Sequence, residues 1–264
     1  MTRSFTKCPQ LVIRTDADSP KTVTIRNVQH IPRLHITGKL SAGPVVIDGD
    51  QARHLSKVMR AHEGDEVHLF NGDGREWRGE VASIERLRVI VDVAEIMRQA
   101  AAPPIVVETW CGLVRPQRYD LMIEKATEAG ADIIRPFLSE RTLGTREASK
   151  ARMERWERLA VEASEQCGRL QVPVIEHPVS FERLIETYHG ALVLADRMGD
   201  QWTTVAGLLP REGHIAVAIG PEGGFTDEES QAARRHGALR VSLGPHTFRT
   251  ETAAIVATAM LRGL

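Results

Sequence analysis

Apolar and polar positions along the chain follow two rhythms, and the change between them falls at residues 99–104. Before it, residues 31–36 alternate as a strand does, residues 45–47 form a second apolar run, and residues 66–70, the stretch to Val81 and residues 87–93 fold around the turn Asn71-Gly72-Asp73-Gly74 as a β-meander. Residues 48–60 read as a helix with Ala52, Leu55, Val58 and Met59 on one face. After Gln99-Ala100-Ala101-Ala102-Pro103-Pro104, a linker by composition, strands and helices take turns. Residues 105–110 and 132–137 are apolar runs, and 117–129 is a helical stretch closing on Gly130. A long helix over 151–168 puts Trp156, Ala160, Ala163 and Cys167 on one stripe, residues 191–195 are a further buried strand, and residues 250–261 are a last, largely apolar helix. Such alternation predicts an α/β domain with a mostly parallel sheet, behind a small β-rich domain.

Two loops near the end stand out by their likeness. Ile219-Gly220-Pro221-Glu222-Gly223-Gly224-Phe225-Thr226-Asp227 follows the apolar run 215–219, and Leu243-Gly244-Pro245-His246-Thr247-Phe248-Arg249-Thr250-Glu251 follows the run 239–243, 24 residues later. In each, Gly-Pro comes first and a Thr and an acid follow at the same offset. Thr226 with Glu229 fits a capping box, so a helix is expected to begin at Asp227. Two parallel strands would carry both loops to one sheet edge, where open α/β sheets bind ligands. Glycines there let a ligand approach the main chain, and the prolines stiffen the loops without donating an N–H.

Composition narrows the partners. The 264 residues suggest about two domains, with 42% hydrophobic residues to build their cores. A formal net charge of −1 gives no global signature of nucleic-acid binding, so any basic surface is local. Cys8, Cys111 and Cys167 form no pair at metal or redox spacing and read as free thiols of a reducing, cytoplasmic compartment, Cys167 packed on its helix. The ten histidines show no ligand spacing, so no metal is expected, and no apolar run reaches membrane-spanning length, so no membrane is expected either. Residues 1–29 are polar and read as a loosely ordered extension.

The familiar cofactor signatures are missing: neither G-x-G-x-x-G, nor G-x-x-x-x-G-K-[ST], nor G-x-S-x-G occurs. What remains is a pocket offering backbone groups, an arginine and carboxylates. In Ile31-Pro32-Arg33, H-L-S-K-V-M-R at 54–60, E-K-A-T-E-A-G at 124–130, Ser139-Glu140-Arg141, E-Q-C-G-R at 165–169, I-G-P-E-G-G at 219–224 and Leu243-Gly244-Pro245 with Arg249-Thr250-Glu251-Thr252, the chain resembles the SPOUT-class methyltransferases. Within them it is most similar to the family that methylates N3 of a uridine in small-subunit (16S) ribosomal RNA. The likeness runs from about Ile31 to the end. It departs from the family at His246, usually Arg, and at Phe248, usually a branched aliphatic residue.

The resemblance implies a PUA-like β-barrel over residues 30–98 that grips RNA, a linker over 99–104, and a SPOUT α/β domain with a trefoil knot over 105–264, assembled as a homodimer. It implies S-adenosylmethionine held by Leu194, Ala195, Ile219, Gly220, Pro221, Glu222, Gly223, Leu243, Gly244, Phe248 and Thr250. Arg249 and Glu251 are the catalytic candidates, the alternative being an Arg249–Glu251 pair that only fixes the loop. Arg33, Lys57, Arg60, Arg169 and His246 are the candidate contacts to ribosomal RNA. Two further readings stand beside this one: a non-catalytic RNA-binding assembly factor of the same fold, and an enzyme that takes another nucleotide in the same pocket.

Overall fold

The structure, a computed structural model, describes residues 31–86, 88–142 and 148–264. The extension at 1–29 lies outside the described residues.

Five strands form the first sheet: β1 (Arg33–His35), β2 (Gly43–Asp48), β3 (Glu66–Phe70), β4 (Arg75–Ile84) and β5 (Arg88–Gln99), in the order β1-β3-β4-β5-β2. Only β1 and β3 run parallel. In β4 the alternation expected of a half-buried strand is plain, with Trp77, Gly79 and Val81 inside and Arg78 and Glu80 outside. Leu34, Ile47, Leu69, Val81 and Val91, one from each strand, share a single core. The sheet therefore curls around that core as the expected PUA-like barrel does, with β1 and β2 as its edge strands among the described residues. The helix expected over residues 48–60 is also shorter. Helix α1 (Gly49–Arg53) passes into a π-helical turn (His54–Val58), where the Met59 N–H reaches the His54 carbonyl at 3.0 Å. Ala52 and Leu55 are buried and Met59 packs against the same core, but Val58 is 67% exposed and drops out of the expected apolar face.

The second sheet is wholly parallel. Its elements are β6 (Ile105–Gly112), α2 (Pro116–Ala129), β7 (Ile133–Leu138), α3 (Lys150–Cys167), β8 (Val174–Ile175), β9 (Val179–Ser180), α4 (Phe181–Thr187), β10 (Ala191–Gln201), α5 (Trp202–Ala206), β11 (Gly213–Ile219), α6 (Asp227–Arg235), β12 (Leu239–Ser242) and α7 (Thr250–Arg262). The strand order is β12-β10-β11-β6-β7-β8, with β9 beside β7. Strand β11 shows why its sequence reads as an unbroken apolar run. Ile215, Val217 and Ile219 join the core under α2, α3 and α7, while Ala216 and Ala218 join the one under α4 and α6, so both faces are covered. On α3, Trp156, Ala160 and Ala163 are buried as expected, but Cys167 is exposed. It is the last residue of the helix, beyond the covered turns, where Gly168 takes φ 82° and ends it.

Candidate active site

Parallel pairing delivers the ends of β10, β11 and β12 to one side of the sheet, with β10 between the two strands that carry the Gly-Pro loops. A cavity of about 560 Å³ opens there. Its wall includes Ala195, Ile219, Gly220, Pro221, Glu222, Leu243, Gly244, His246, Phe248, Arg249 and Thr250, so the sequence candidates from three separate segments meet at one place.

The first loop is braced from outside. Thr226 caps α6, with its hydroxyl accepting the Glu229 N–H at 3.2 Å while the Glu229 carboxylate accepts the Thr226 N–H at 2.8 Å. Glu229 also accepts from the Ser139 hydroxyl and the Glu140 N–H, both at 3.0 Å. Arg141 donates to the carbonyls of Gly223 and Phe225 at 3.0 and 3.1 Å. The Ser139-Glu140-Arg141 segment thus fixes the loop's outer side. Gly220 sits in a tight part of the loop: a Cβ there would lie 3.1 Å from the Gly224 carbonyl carbon and 3.2 Å from the Phe225 ring.

Charge in the cavity centres on an arginine that sequence reasoning passed over. Arg118, in the first turn of α2, lines the wall and sits 3.2 Å from Glu222 and 3.9 Å from Glu251. Glu251 is buried, and its Oε2 has no hydrogen-bond partner among the described residues. Burial, with Glu251 and Glu222 close by, pushes the Cys111 thiol far above its usual range, so Cys111 stays a neutral core residue. Arg249 is exposed on the wall and makes no side-chain hydrogen bond or ion pair to any described residue.

Several expectations need correction. The Arg249–Glu251 pair does not form, because Glu251 turns inward toward Arg118 as α7 begins. Glu251 is absent from the cavity wall, as are Leu194, fully buried in β10, and Gly223, packed on Arg141. Arg33 is not available to a phosphate: it pairs with Glu76, lies 4.7 Å over the Phe70 ring, and donates to the carbonyls of Ser164, Glu165 and Arg169 at 2.8–2.9 Å. Arg169 is likewise committed, to the carbonyls of Thr127 and Gln171 and to Asp132, each at 3.1 Å. Both arginines serve the fold. Lys57 and Arg60 are exposed, far in sequence from the cavity, and Arg60 takes the strained left-handed φ of 56° just after the π-helical turn. Besides Arg118, the wall includes Phe225 and Thr247 from the two loops, and Asp196, Arg197, Ser230, Ser242 and Ala253, which no sequence motif marked. Position relative to the buried runs was the signal that would have found Arg118 and Arg197, since Arg118 follows β6 and Arg197 lies just past the buried run of β10. Among the described residues no group of three or more His, Cys, Asp or Glu side chains is placed to hold a metal, and no helix is long and apolar enough to cross a membrane.

Comparison with known proteins agrees with this geometry. The chain matches the RNA methyltransferase domain family over residues 101–262 and the RNA methyltransferase PUA domain family over residues 47–94. It is 31% identical over 235 residues to the ribosomal RNA small subunit methyltransferase E of Bacillus subtilis, covering 82% of this chain and 91% of that protein. The Mycobacterium bovis protein of the same name is 32% identical over 80% of this chain and 83% of its own length. Among solved structures, a putative methyltransferase of Legionella pneumophila in complex with the bound cofactor SAM superposes with a TM-score of 0.80 at 29% identity, covering 89% of this chain and 98% of that one. The ribosomal RNA small subunit methyltransferase E of Neisseria gonorrhoeae bound to S-adenosyl methionine gives 0.78 at 27% identity, with the same coverage.

Proposed function

The chain belongs to the RNA methyltransferase family that includes the ribosomal RNA small subunit methyltransferase E proteins, and from this we propose that it methylates N3 of a uridine in 16S ribosomal RNA, using S-adenosylmethionine. The observation that carries the reading is the meeting of both Gly-Pro loops at one cavity with an uncommitted guanidinium, Arg249, on its wall. The residues present fit the cofactor. The cavity volume of about 560 Å³ lies within the ~300–1,000 Å³ usual for small-ligand sites, and its wall joins main-chain groups of the loops to Ile219, Leu243 and Phe248. Main-chain donors and acceptors with apolar flanks suit an adenine-bearing molecule.

The chemistry supplied by bound S-adenosylmethionine is an electrophilic methyl on sulfur. The chain's own residues answer for the rest. A uridine N3–H is a weakly acidic imide, so nitrogen becomes nucleophilic only as its proton leaves, and charge spreads to the flanking carbonyl oxygens. Arg249 stabilises that charge where it develops, its planar fork matching paired acceptors. A carboxylate or water takes the proton. Arg118, on the same wall, shapes the site by bridging Glu222 of the first loop and the buried Glu251 at the start of α7.

The same reading assigns residues 30–98 to RNA gripping, with Lys57 and Arg60 as phosphate contacts, and residues 105–264 to catalysis through a knotted α/β domain. It places the protein in the cytoplasm with its ribosomal substrate, as a homodimer. Support for the dimer comes from α7, where Ile255, Val256 and Met260 keep partly exposed apolar surface outside the buried row of Ala253, Ala254, Ala257 and Leu261. Calorimetry with S-adenosylmethionine, then mass mapping of 16S RNA after incubation with unmodified small subunits, tests the activity. Absence of a new uridine methyl group would remove it. A monomer mass by light scattering at micromolar concentration would remove the dimer.

A further inference from the structure

One lip of the cavity belongs to neither Gly-Pro loop. Strand β10 pairs with β12 at Ala195 and again at Asp200, and both residues face the same partner, Val241. Residues 196–199 therefore leave the ladder and return to it. Asp196 holds the base of this excursion: Oδ1 accepts the Met198 N–H at 2.8 Å, and Oδ2 accepts from Arg240 Nε at 3.0 Å. Gly199 closes it against β12 so tightly that a Cβ would lie 2.5 Å from the Val241 nitrogen. The excursion is therefore built and pinned. Arg197 lines the cavity and is exposed, while Met198 is 82% exposed.

A single exposed apolar side chain is ordinary. One held on a fixed turn, next to a cation on the rim of a site whose wall also presents Phe248 at 38% exposure, has a chemical meaning. Cation and apolar surface together match single-stranded nucleic acid, which offers a phosphate and a base face at each nucleotide. The reaction itself demands such a strand. N3 lies on the pairing edge of uracil, so the target base must be unpaired and drawn out of its stack, which leaves a neighbouring base without its partner.

We propose that residues 196–199 form an RNA-holding lip, in which Arg197 takes a backbone phosphate of the strand bearing the target and Met198 packs on the face of an adjacent base. This assignment rests on the RNA methyltransferase reading. The test uses the full chain, unmethylated small subunits, and the variants Arg197→Ala, Met198→Ala and Met198→Leu. Arg197→Ala is expected to weaken subunit binding about fivefold near 0.1 M salt and to flatten the dependence of log K on log salt by about 0.7, the loss of one single-strand phosphate contact. Met198→Ala is expected to slow single-turnover methylation about tenfold without changing that slope, and Met198→Leu, close in volume, to stay within about twofold of wild type. Calorimetric affinity for S-adenosylmethionine should be unchanged in all three. If wild type methylates subunits and the alanine variants match it, the lip falls while the activity stands. Loss of cofactor affinity with intact subunit binding would assign the segment to the cofactor instead and overturn the proposal. A wild type that neither binds nor methylates subunits would overturn the activity, and the lip with it.

Discussion

Arg249 and Arg118 both face the cavity, but among the described residues only Arg118 is held by a partner. That difference separates a group poised for substrate from one that shapes the site. Arg249→Lys keeps the charge and loses the planar fork, so the methylation rate on small subunits should fall about 10²-fold or more, with cofactor affinity nearly normal. A lysine variant within about threefold of wild type in single turnover would falsify the catalytic role. Arg118→Ala acts differently, because it leaves Glu251 buried with no cation beside it. Removing one partner of a fully buried pair costs ~3–5 kcal/mol; Arg118 is a third exposed and 3.9 Å away, so we expect about 1–2 kcal/mol, read as a lower melting temperature. Adding Glu251→Gln should recover part of that loss, and no recovery would show that Glu251 was not the group left stranded. The sequence made Arg249 visible because it sits inside a repeated loop motif. Arg118 was hidden by lying 104 residues from Glu222, its partner, in a helix whose surface charges look alike in one dimension.

At the level of loops and helices, what could be read from the chain was whatever local chemistry decides. The start of α6 at Asp227 followed from Thr226 and Glu229, since a capping box is complete within four residues. The end of α2 at Gly130 followed from the left-handed conformation that only glycine takes easily, here φ 105°. Elements settled by distant packing were misread or passed over. The α5 segment, Trp202–Ala206, is too short for a helical period to emerge, and the passage of α1 into a π-helical turn at His54, which turns Val58 to solvent, leaves no mark in the apolar spacing. The first Gly-Pro loop tests how far a loop can be perturbed alone. A side chain at Gly220 was expected to fill a ligand's approach path. In the structure a Cβ there would also crowd Gly224 and Phe225 of the same loop, at 3.1–3.2 Å. Gly220→Val should therefore distort the loop and cut S-adenosylmethionine affinity by at least about tenfold while the domain stays folded, because α6 remains capped and braced by Glu229. Calorimetry alongside circular dichroism would check it, and full affinity in the folded variant would contradict it.

Among the described residues the two domains are joined by one cluster of polar contacts, which recasts two segments first taken for RNA contacts. Arg33 from β1 reaches the last carbonyls of α3, groups that a helix cannot satisfy internally and that carry its negative end. The backbone N–H of His35 donates to the Glu165 carboxylate at 2.8 Å, and Arg98 pairs with Glu76 while reaching the Gly168 carbonyl. Ile31-Pro32-Arg33 and E-Q-C-G-R, with Arg33 and Glu165 lying 132 residues apart, are thus two halves of one clamp. Nothing in either half alone reveals that, since a buried guanidinium and a phosphate-binding one are the same residue in a sequence. Glu165 is the clamp's titratable member. Burial outweighs the His35 N–H and the Arg33 charge, and raises its carboxyl above the ordinary 4.5. An acid with a raised folded value favours the protonated folded state. Its contribution to stability is therefore present below pH 4.5 and is lost as pH rises through the folded value, leaving the full cost of a buried charge at neutral pH. Glu165→Gln keeps an acceptor for His35 and removes the charge. The variant's melting temperature relative to wild type should accordingly rise between acid and neutral pH, with its largest advantage at neutral pH. A gap that stays constant or narrows over that range would mean that attraction to Arg33 governs Glu165 and burial does not.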